Sequence, residues 1–396
     1  MVSTRKNKSL FIDKEAVASL SLAKEGILQP ITGLMNSKDA KKVDASNQYN
    51  GKSFPFSFLL APSGRRNNEV LESLSVGDEV NLVENSKIIG HLKVDEVFEI
   101  DPIKRVEKIY GTTDASHPGV SSTLARLGKY AVCGEYEIEF EDVRASKQKI
   151  AEAIKKVDAK HLTGIVTAAR PINRGHERLI RLALERTDLV VIFLSKPYSE
   201  ESVPYSVRYE ALDFLVKNFL PSDRVIVVPF ENTYLFAGMN ELLLDAIAIQ
   251  NFGCHRMVIG ANHAGLGIFF ESHEIKSIFD SFVGINMSVN ISSMFVYCNV
   301  CKTLVTQKTC PHGMHHHIHY NSESLLEMLR NGILPPAIFM RKEITSIYLS
   351  RMFPNRFKNL QKLYADMITN SGIIEEHSER EFYNELMNLY QTTSLT

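Results

Sequence analysis

The sequence predicts an α/β protein with a β-rich N-terminal domain, a doubly wound parallel sheet and a small helical C-terminal domain. Short alternating apolar runs recur in the first part of the chain. Strand-like and helix-like segments then alternate four times, which is typical of a parallel sheet covered by helices. The last part has helical spacing of its apolar residues. We therefore predict three domains, at residues 1–155, 156–320 and 321–396.

Length and composition exclude several classes of protein. A chain of 396 residues is long enough for two or three cores. Its 45 Lys and Arg residues balance 46 Asp and Glu residues, which gives no general attraction for nucleic acid or an anionic membrane. No apolar run reaches the roughly 20 residues of a membrane span, and the basic segment 1–10 lacks a following signal-peptide core. We therefore expect a cytoplasmic protein with neither nucleic acid nor membrane as partner.

The N-terminal domain is predicted from three alternating segments. FPFSFLLAP (54–62), the long run 79–100 and KYAVCGEYEIEF (129–140) alternate between apolar and polar residues, as half-buried strands do. Turn signals such as Pro62-Ser63-Gly64 separate them. This composition favours a compact, barrel-like β domain.

The middle domain is predicted from four apolar runs that read as buried strands, each followed by a loop or a helical segment. The runs are LTGIVTAA (162–169), LVVIFLSKP (189–197), RVIVVPF (224–230) and RMVIGANHAG (256–265). In a doubly wound sheet the ligand crevice lies at the carboxyl ends of the strands. Candidate binding residues should therefore be found in the loops that follow these runs.

The loop after the first run contains Asn173-Arg174-Gly175-His176-Glu177. Gly175 would allow the backbone to approach a phosphate, and the N-terminus of the next helix attracts anions. His176 lies on the first helical turn, where it either donates to a phosphate oxygen or caps the helix. A second loop, GANHAGLG (260–267), has three glycines that favour either close contact with a nucleotide or a tight turn.

The cysteines divide into two groups. Cys133 and Cys254 stand alone in apolar runs and are expected to be buried thiols. Cys298-x-x-Cys301 and Cys310 are followed by several histidines, which is typical of a tetrahedral zinc site rather than of free thiols or disulfides. We predict His315 as the fourth ligand, because His312 lies only two residues after Cys310. Four protein ligands would make this zinc structural.

Three segments carry a resemblance to a known family. QPITGLM (29–35), YGTTDASHPGV (110–120) and GANHAGLG (260–267) resemble segments of the sulfate adenylyltransferase (ATP sulfurylase) family, whose nucleotide loop reads GRDHAGPG. The resemblance extends from about residue 27 to 345. It implies a PUA-like N-terminal domain and a nucleotidyltransferase domain after it.

The resemblance also implies an activity and its cofactors. The family transfers the adenylyl group of ATP to sulfate with Mg²⁺, releasing pyrophosphate, and some bacterial members carry zinc at the same point of the chain. Bacterial relatives are commonly homo-oligomeric. The nucleotide is expected to bind at Gly175, Gly260, Asn262, His263, Ala264 and Gly265.

The catalytic stretch departs from the family pattern. The family sequence QTRNPxHxxH is matched by 167–176, so that Thr167 and Ala169 replace the Gln and Arg that hold sulfate. The candidate catalytic residues are Arg170, Asn173 and His176. Segments 234–241 and 321–326 match two further family motifs and lack their arginines.

Lost charged donors to an anion would need replacement, since each contributes about 1.5–3 kcal/mol. The basic residues expected near the crevice are Lys196, Arg170, Arg174, Arg178 and Arg208, unless they are solvated surface charges. Three functions stay open: sulfate adenylyltransferase, an adenylyltransferase for another oxyanion or small acceptor, and a non-catalytic nucleotide-binding regulator.

Overall fold

The computed structural model describes residues 8–196, 203–231, 237–260, 263, 272–367 and 374–390. These residues form two compact units. The first comprises the described residues within 1–166, 195–199 and 228–291, and the second those within 167–194, 200–227 and 292–396. None of the described helices is long and apolar enough to cross a membrane.

The N-terminal part of the first unit contains a five-stranded sheet. Its strands are β1 (Lys8–Phe11), β4 (Leu60–Pro62), β5 (Glu79–Glu84), β6 (Lys87–Glu99) and β7 (Leu127–Ile138), in the order β1-β5-β6-β7-β4. The β-rich prediction is confirmed, and β5 to β7 cover the two longer predicted runs. The sheet is open among the described strands, with β1 and β4 at its edges, so hydrogen bonds between these strands do not close it into a complete barrel. Edge strand β4 has only three residues, and its pairing with β7 shifts register between Leu60 and Pro62.

Six helices and a small hairpin surround these strands, and the alternating pattern did not indicate them. They are α1 (Lys14–Lys24), α2 (Ser37–Ser46), β2 (Gln48–Tyr49), β3 (Lys52–Ser53), α3 (Arg65–Glu72), α4 (Pro102–Tyr110), α5 (Pro118–Arg126) and α6 (Glu141–Val157). Capping side chains were the available signal. Asp13, Asn36 and Asp101 each accept a backbone N–H at a helix N-terminus, and Asp101 precedes a proline at the first helical position.

The predicted doubly wound sheet is confirmed. Its strands are β8 (Leu162–Thr167), β9 (Leu189–Ser195), β10 (Val225–Phe230), β11 (Arg256–Ile259) and β12 (Ser288–Ile291), in the order β10-β9-β8-β11-β12. Every residue of β9 is buried, as expected for a strand covered on both faces. Helices α7 (Arg174–Leu184), α8 (Tyr205–Phe219), α9 (Met239–Asn251) and α10 (Ser272–Asp280) follow these strands in the chain.

The C-terminal part of the second unit contains a small antiparallel sheet and the predicted helical region. The sheet has the order β14-β13-β15, formed by β13 (Phe295–Cys298), β14 (Thr303–Thr306) and β15 (His317–Ile318). The helices are α11 (Ser322–Arg330), α12 (Lys342–Met352), α13 (Arg356–Met367) and α14 (Glu379–Tyr390). Helix α12 packs against α8 and α14, which buries Ile347, Tyr348 and Leu349 completely.

Candidate functional site

The loop between β8 and α7 is held by hydrogen bonds within the second unit. Thr167 Oγ1 accepts from the backbone N–H of Ala169 at 3.1 Å. The hydroxyl of Tyr348 donates to the carbonyl of Ala169 and accepts from the N–H of Ile172, both at 3.2 Å. Ala169 is buried and has a φ of 47°, a left-handed conformation that alanine rarely adopts. These contacts therefore give the segment around Arg170 a defined backbone.

Replacing Tyr348 by phenylalanine is expected to lower the free energy of unfolding by about 1–3 kcal/mol, because two buried backbone groups lose their partner. Urea unfolding of the full chain measures this difference. Tyr364→Phe is the matched control, since Tyr364 is half-exposed on α13. Equal effects of the two substitutions would show that the Tyr348 hydroxyl does not hold the loop.

Asn173 is the N-cap of α7. Its Oδ1 accepts from the backbone N–H groups of Gly175 and His176 at 3.0 and 3.3 Å, and its Nδ2 donates to Ser322 Oγ at 3.2 Å. Both ends of the amide are therefore engaged within the protein. The side chain therefore organises the helix N-terminus, and a catalytic role for Asn173 stays a prediction.

His176 completes a capping box, because its Nδ1 accepts from the backbone N–H of Asn173 at 3.2 Å. Burial lowers the pKa of His176 to about 4. The ring is therefore neutral near pH 7, with its proton on Nε2. His176 caps the helix, as one interpretation of the sequence had it, and its Nε2–H is an uncharged donor with no hydrogen-bond partner among the described residues.

Gly175 is explained by packing. A Cβ at this position would lie 3.1 Å from both Asn173 Oδ1 and the Tyr320 hydroxyl. A larger residue would therefore disturb the N-cap.

Three arginines converge on one buried carboxylate, Glu177, in the first turn of α7. Arg341 contacts its two oxygens at 2.8 Å each, Arg181 approaches to 3.0 Å and Arg174 to 3.3 Å. Burial acts to raise the pKa of Glu177, but the hydrogen bonds and charges of these arginines outweigh it and lower the pKa. The cluster ties α7 to the segment just before α12.

The five basic residues predicted as anion ligands differ in how they are engaged. Arg174 pairs with Glu177, and buried Arg208 donates to the carbonyl of Ala168 at 2.7 Å. Lys196, in the first unit, binds Asp142 at 2.7 Å and Glu231 at 3.1 Å. Arg170 and Arg178 have no hydrogen-bond or ion-pair partner among the described residues. Arg170 is half-buried in the loop, whereas Arg178 is exposed on α7.

In the first unit, the loop after β11 is described at Gly260 and His263, while Asn262, Ala264 and Gly265 lie outside the described residues. The backbone N–H of His263 donates to the carbonyl of Gly260 at 3.1 Å. Its ring Nε2 lies 2.8 Å from Asp245 Oδ2, and Glu241 belongs to the same buried group. Neither Asp245 nor Glu241 was predicted from the sequence. Two acidic residues four apart in the otherwise apolar run ELLLDAIAI were the available signal.

The predicted cysteine cluster forms in the second unit, with His312 as its histidine. Cys301 Sγ lies 3.8 Å from Cys310 Sγ, and His312 Nδ1 lies 3.5, 3.2 and 3.6 Å from the sulfurs of Cys298, Cys301 and Cys310. A tetrahedral zinc with usual bond lengths separates two sulfurs by about 3.8 Å and a sulfur from a nitrogen by about 3.6 Å. The donor set and its spacing therefore fit a zinc ion.

His315 is not part of this group. The prediction of His315 as the fourth ligand is corrected to His312, since the turn after Cys310 brings the His312 ring back towards all three sulfurs. The short spacing that counted against His312 is compatible with ligation through Nδ1.

Comparison with known families decides the relationship of the chain. A family model described as ATP-sulfurylase matches residues 141–351, more than half of the chain, and a PUA-like domain model matches residues 2–139. This chain belongs to the ATP-sulfurylase family. The resemblance seen in the sequence is thereby confirmed, together with the PUA-like domain and the nucleotidyltransferase domain that it implied.

Curated relatives of this ATP-sulfurylase family member are named sulfate adenylyltransferase. The protein of Carboxydothermus hydrogenoformans is 33% identical over 273 residues, covering 66% of this chain and 71% of the relative. The protein of Chloroflexus aurantiacus is 28% identical over 349 residues, covering 86% and 90%. A solved structure described as a hexameric APS kinase from Thiobacillus denitrificans has a TM-score of 0.65 at 15% identity, covering 93% of this chain and 70% of that one. The last similarity concerns the fold alone.

Within this family member, Thr167 and Ala169 take part in building the loop backbone. The sequence resemblance matched these two positions to the Gln and Arg of the family pattern. The charged group that the stretch leaves available is the guanidinium of Arg170. The segment 234–241 that matches another family motif lies partly outside the described residues, which begin again at Ala237.

Proposed function

We propose that this ATP-sulfurylase family member is a sulfate adenylyltransferase. In this reaction a sulfate oxygen attacks the α-phosphorus of ATP in line, the bond to the β-phosphate bridging oxygen breaks, and adenylyl sulfate and pyrophosphate form. Mg²⁺ bound to ATP neutralises phosphate charge. The protein needs only to position two anions and stabilise negative charge. Family membership and the names of the relatives support this function.

Arg170 is proposed to bind sulfate. A guanidinium that has no partner among the described residues and is half-buried in an ordered loop is suited to bidentate binding of an oxyanion. The loop ends at the N-terminus of α7, whose N–H groups favour an anion nearby. His176 is proposed to add one neutral hydrogen bond from Nε2. Asn173 and Gly175 act by shaping this helix terminus.

The nucleotide is proposed to bind at the loop after β11, through Gly260, Asn262, His263, Ala264 and Gly265. Gly260 and His263 begin this loop at the end of a buried strand, and its sequence resembles the family's nucleotide loop. An adenylyltransferase for a different acceptor would use the same nucleotide loop. The identity of the acceptor would therefore depend on which anion Arg170 binds.

Pyrophosphate release from ATP and Mg²⁺, with and without sulfate, tests the proposed function. We expect sulfate-dependent release by the unmodified protein. Arg170→Ala should lower kcat/KM for sulfate about 10- to 100-fold, because a charged hydrogen bond to an anion is lost. Arg178→Ala is the control, since Arg178 is exposed and unpaired within the described chain; it should change kcat/KM by less than about twofold.

His176→Ala should have a smaller effect, up to about 10-fold, because the lost donor is uncharged. This loss should be the same from about pH 6 to 8, since the pKa of His176 is lowered to about 4. If the unmodified protein binds ATP but releases no pyrophosphate with sulfate, the proposed acceptor is wrong and other oxyanions should be tried. If sulfate-dependent pyrophosphate release is instead unchanged in Arg170→Ala, Arg170 does not bind sulfate.

A structural Zn²⁺ is proposed at Cys298, Cys301, Cys310 and His312. All four tetrahedral positions would be filled by protein, so that no open position is left for a substrate. The cluster takes its ligands from the end of β13, the turn between β13 and β14, and the segment between β14 and β15. Because the thiols must stay reduced to bind zinc, this site also supports a cytoplasmic location.

The domain boundaries remain proposals at 155/156 and 320/321. The second boundary is supported by the end of β15 at Ile318 and the start of α11 at Ser322. A homo-oligomer is proposed as well. Leu360, Leu363 and Met367 form an exposed apolar stripe on α13, with 46%, 60% and 82% of their surface accessible, and such a stripe favours burial against another copy.

A further inference from the structure

Two acidic side chains lie buried on one face of α9. Glu241 and Asp245 are one helical turn apart and only 5% and 4% exposed. Taking a carboxylate out of water is costly unless a positive charge or strong donors compensate it. Glu241 accepts from the backbone N–H of Ala237 at 3.3 Å. Asp245 instead faces a titratable side chain from the loop after β11.

That side chain is His263. Its Nε2 lies 2.8 Å from Asp245 Oδ2, and the two side chains are 11% and 6% exposed. Burial acts to lower the pKa of His263, but the hydrogen bond to Asp245 and the charges of Asp245 and Glu241 outweigh it and raise the pKa. His263 therefore differs from His176, whose burial is not compensated and whose ring is neutral.

The direction of the hydrogen bond decides what His263 offers a ligand. A protonated imidazole has two N–H donors, and Asp245 takes the one at Nε2. No described residue hydrogen-bonds to the other nitrogen, Nδ1. The backbone contact with Gly260 fixes the residue at the start of the predicted nucleotide loop. The raised pKa of His263 favours its protonated form, whose second N–H, at Nδ1, has no partner among the described residues.

We infer that Asp245 is a positioning residue, which holds His263 as an imidazolium whose Nδ1–H binds an anionic phosphate oxygen of ATP. The inference rests on the proposed function for the identity of the ligand. The arrangement generates a cationic donor from a histidine and a buried carboxylate within the first unit. Glu241 adds negative charge behind the pair without contacting the ring through a hydrogen bond.

Asp245→Asn tests this inference, since the amide keeps the size of the side chain and removes its charge. ¹⁵N NMR of histidine-labelled full-length protein, with the His263 signal assigned by His263→Gln, reports the charge of the ring. ATP–Mg²⁺ affinity is measured by calorimetry from about pH 6 to 8. We expect His263 to keep its proton to a higher pH in the unmodified protein than in Asp245→Asn, because Asp245 raises the pKa of the ring.

At about pH 7, Asp245→Asn should weaken ATP binding about 10- to 100-fold, because a charged hydrogen bond is lost. The loss should persist at about pH 6, since burial without the Asp245 charge keeps the ring neutral there, as burial does for His176. Asp245→Glu should keep part of the affinity. Glu241→Gln, which neutralises a buried acid on the same helix but leaves the Asp245–His263 hydrogen bond, should have a smaller effect.

A neutral His263 in the unmodified protein at about pH 7 would overturn the inference. So would a His263 ring that keeps its proton to the same pH in Asp245→Asn as in the unmodified protein, since a lost affinity would then indicate a purely structural role. Failure of the proposed function is separate. It would appear as absent sulfate-dependent pyrophosphate release by a protein whose NMR signals and ATP affinity still respond to Asp245 as expected.

Discussion

Replacing Cys301 by serine is expected to release the zinc ion and unfold the segment from β13 to β15. Zinc binding contributes about 10–16 kcal/mol of apparent folding free energy in zinc-finger peptides near neutral pH. Loss of one thiolate should remove much of the corresponding stabilisation here, because the sulfurs of Cys298, Cys301 and Cys310 all lie within reach of one ion. Metal content by mass spectrometry and the thermal unfolding midpoint measure the result. Chelation of the unmodified protein should lower the midpoint similarly.

Two histidine variants sharpen this experiment. His312→Ala should lose zinc as Cys301→Ser does, since His312 Nδ1 lies within 3.6 Å of all three sulfurs. His315→Ala should keep its zinc, because His315 is outside the group. The opposite pattern would restore His315 as the ligand. If the protein is purified without chelators and with zinc available and still contains no metal, the proposed zinc site is wrong.

Glu177→Gln is expected to lower the free energy of unfolding by about 3–5 kcal/mol, as found when one partner of a buried ion pair is removed. Arg174, Arg181 and Arg341 would then face one another without their shared carboxylate. Glu185→Gln provides the control, because Glu185 is exposed at the end of the same helix and should change stability by less than about 0.5 kcal/mol. Urea unfolding measures both.

The Glu177 effect should depend on pH in a defined direction. Its pKa is lowered in the folded protein, so its contribution is complete above the ordinary carboxyl pKa and is lost as the pH falls through the folded value. The difference between Glu177→Gln and the unmodified protein should therefore shrink in acid. A difference that stays constant into strong acid would show that the glutamate acts by packing and not by charge.

The three cysteines of the metal site could be predicted from the sequence, whereas its histidine, His312, could not. CxxC spacing places two thiols on one turn whatever surrounds them. The choice between His312 and His315 depends on how the chain turns between Cys310 and β15, and β15 pairs with β13 at Cys298. Pairing between segments distant in sequence decides such a choice, and residue spacing carries no information about it.

The arginines of the catalytic stretch show the same division. The sequence places Arg170, Arg174 and Arg178 within nine residues and makes them equal candidates for an anion. The tertiary structure separates them, because Glu177 engages Arg174 and α7 turns Arg178 to solvent. Which guanidinium remains for a ligand depends on these contacts. The contact of Arg174 with Glu177 is local, whereas Arg341, which also binds Glu177, comes from a distant part of the chain.

The sequence by itself determined the family, the PUA-like and nucleotidyltransferase domains, the strand–helix alternation and the loops that follow the strands. These features depend on periodicity and on contiguous motifs, which are local. Only the tertiary structure decided that Asn173 and His176 cap a helix, that Tyr348 holds the loop of Arg170, and that Asp245 lies against His263. Hydrogen bonds and charges act over a few ångströms in space, so they depend on which distant residues the fold brings within that range.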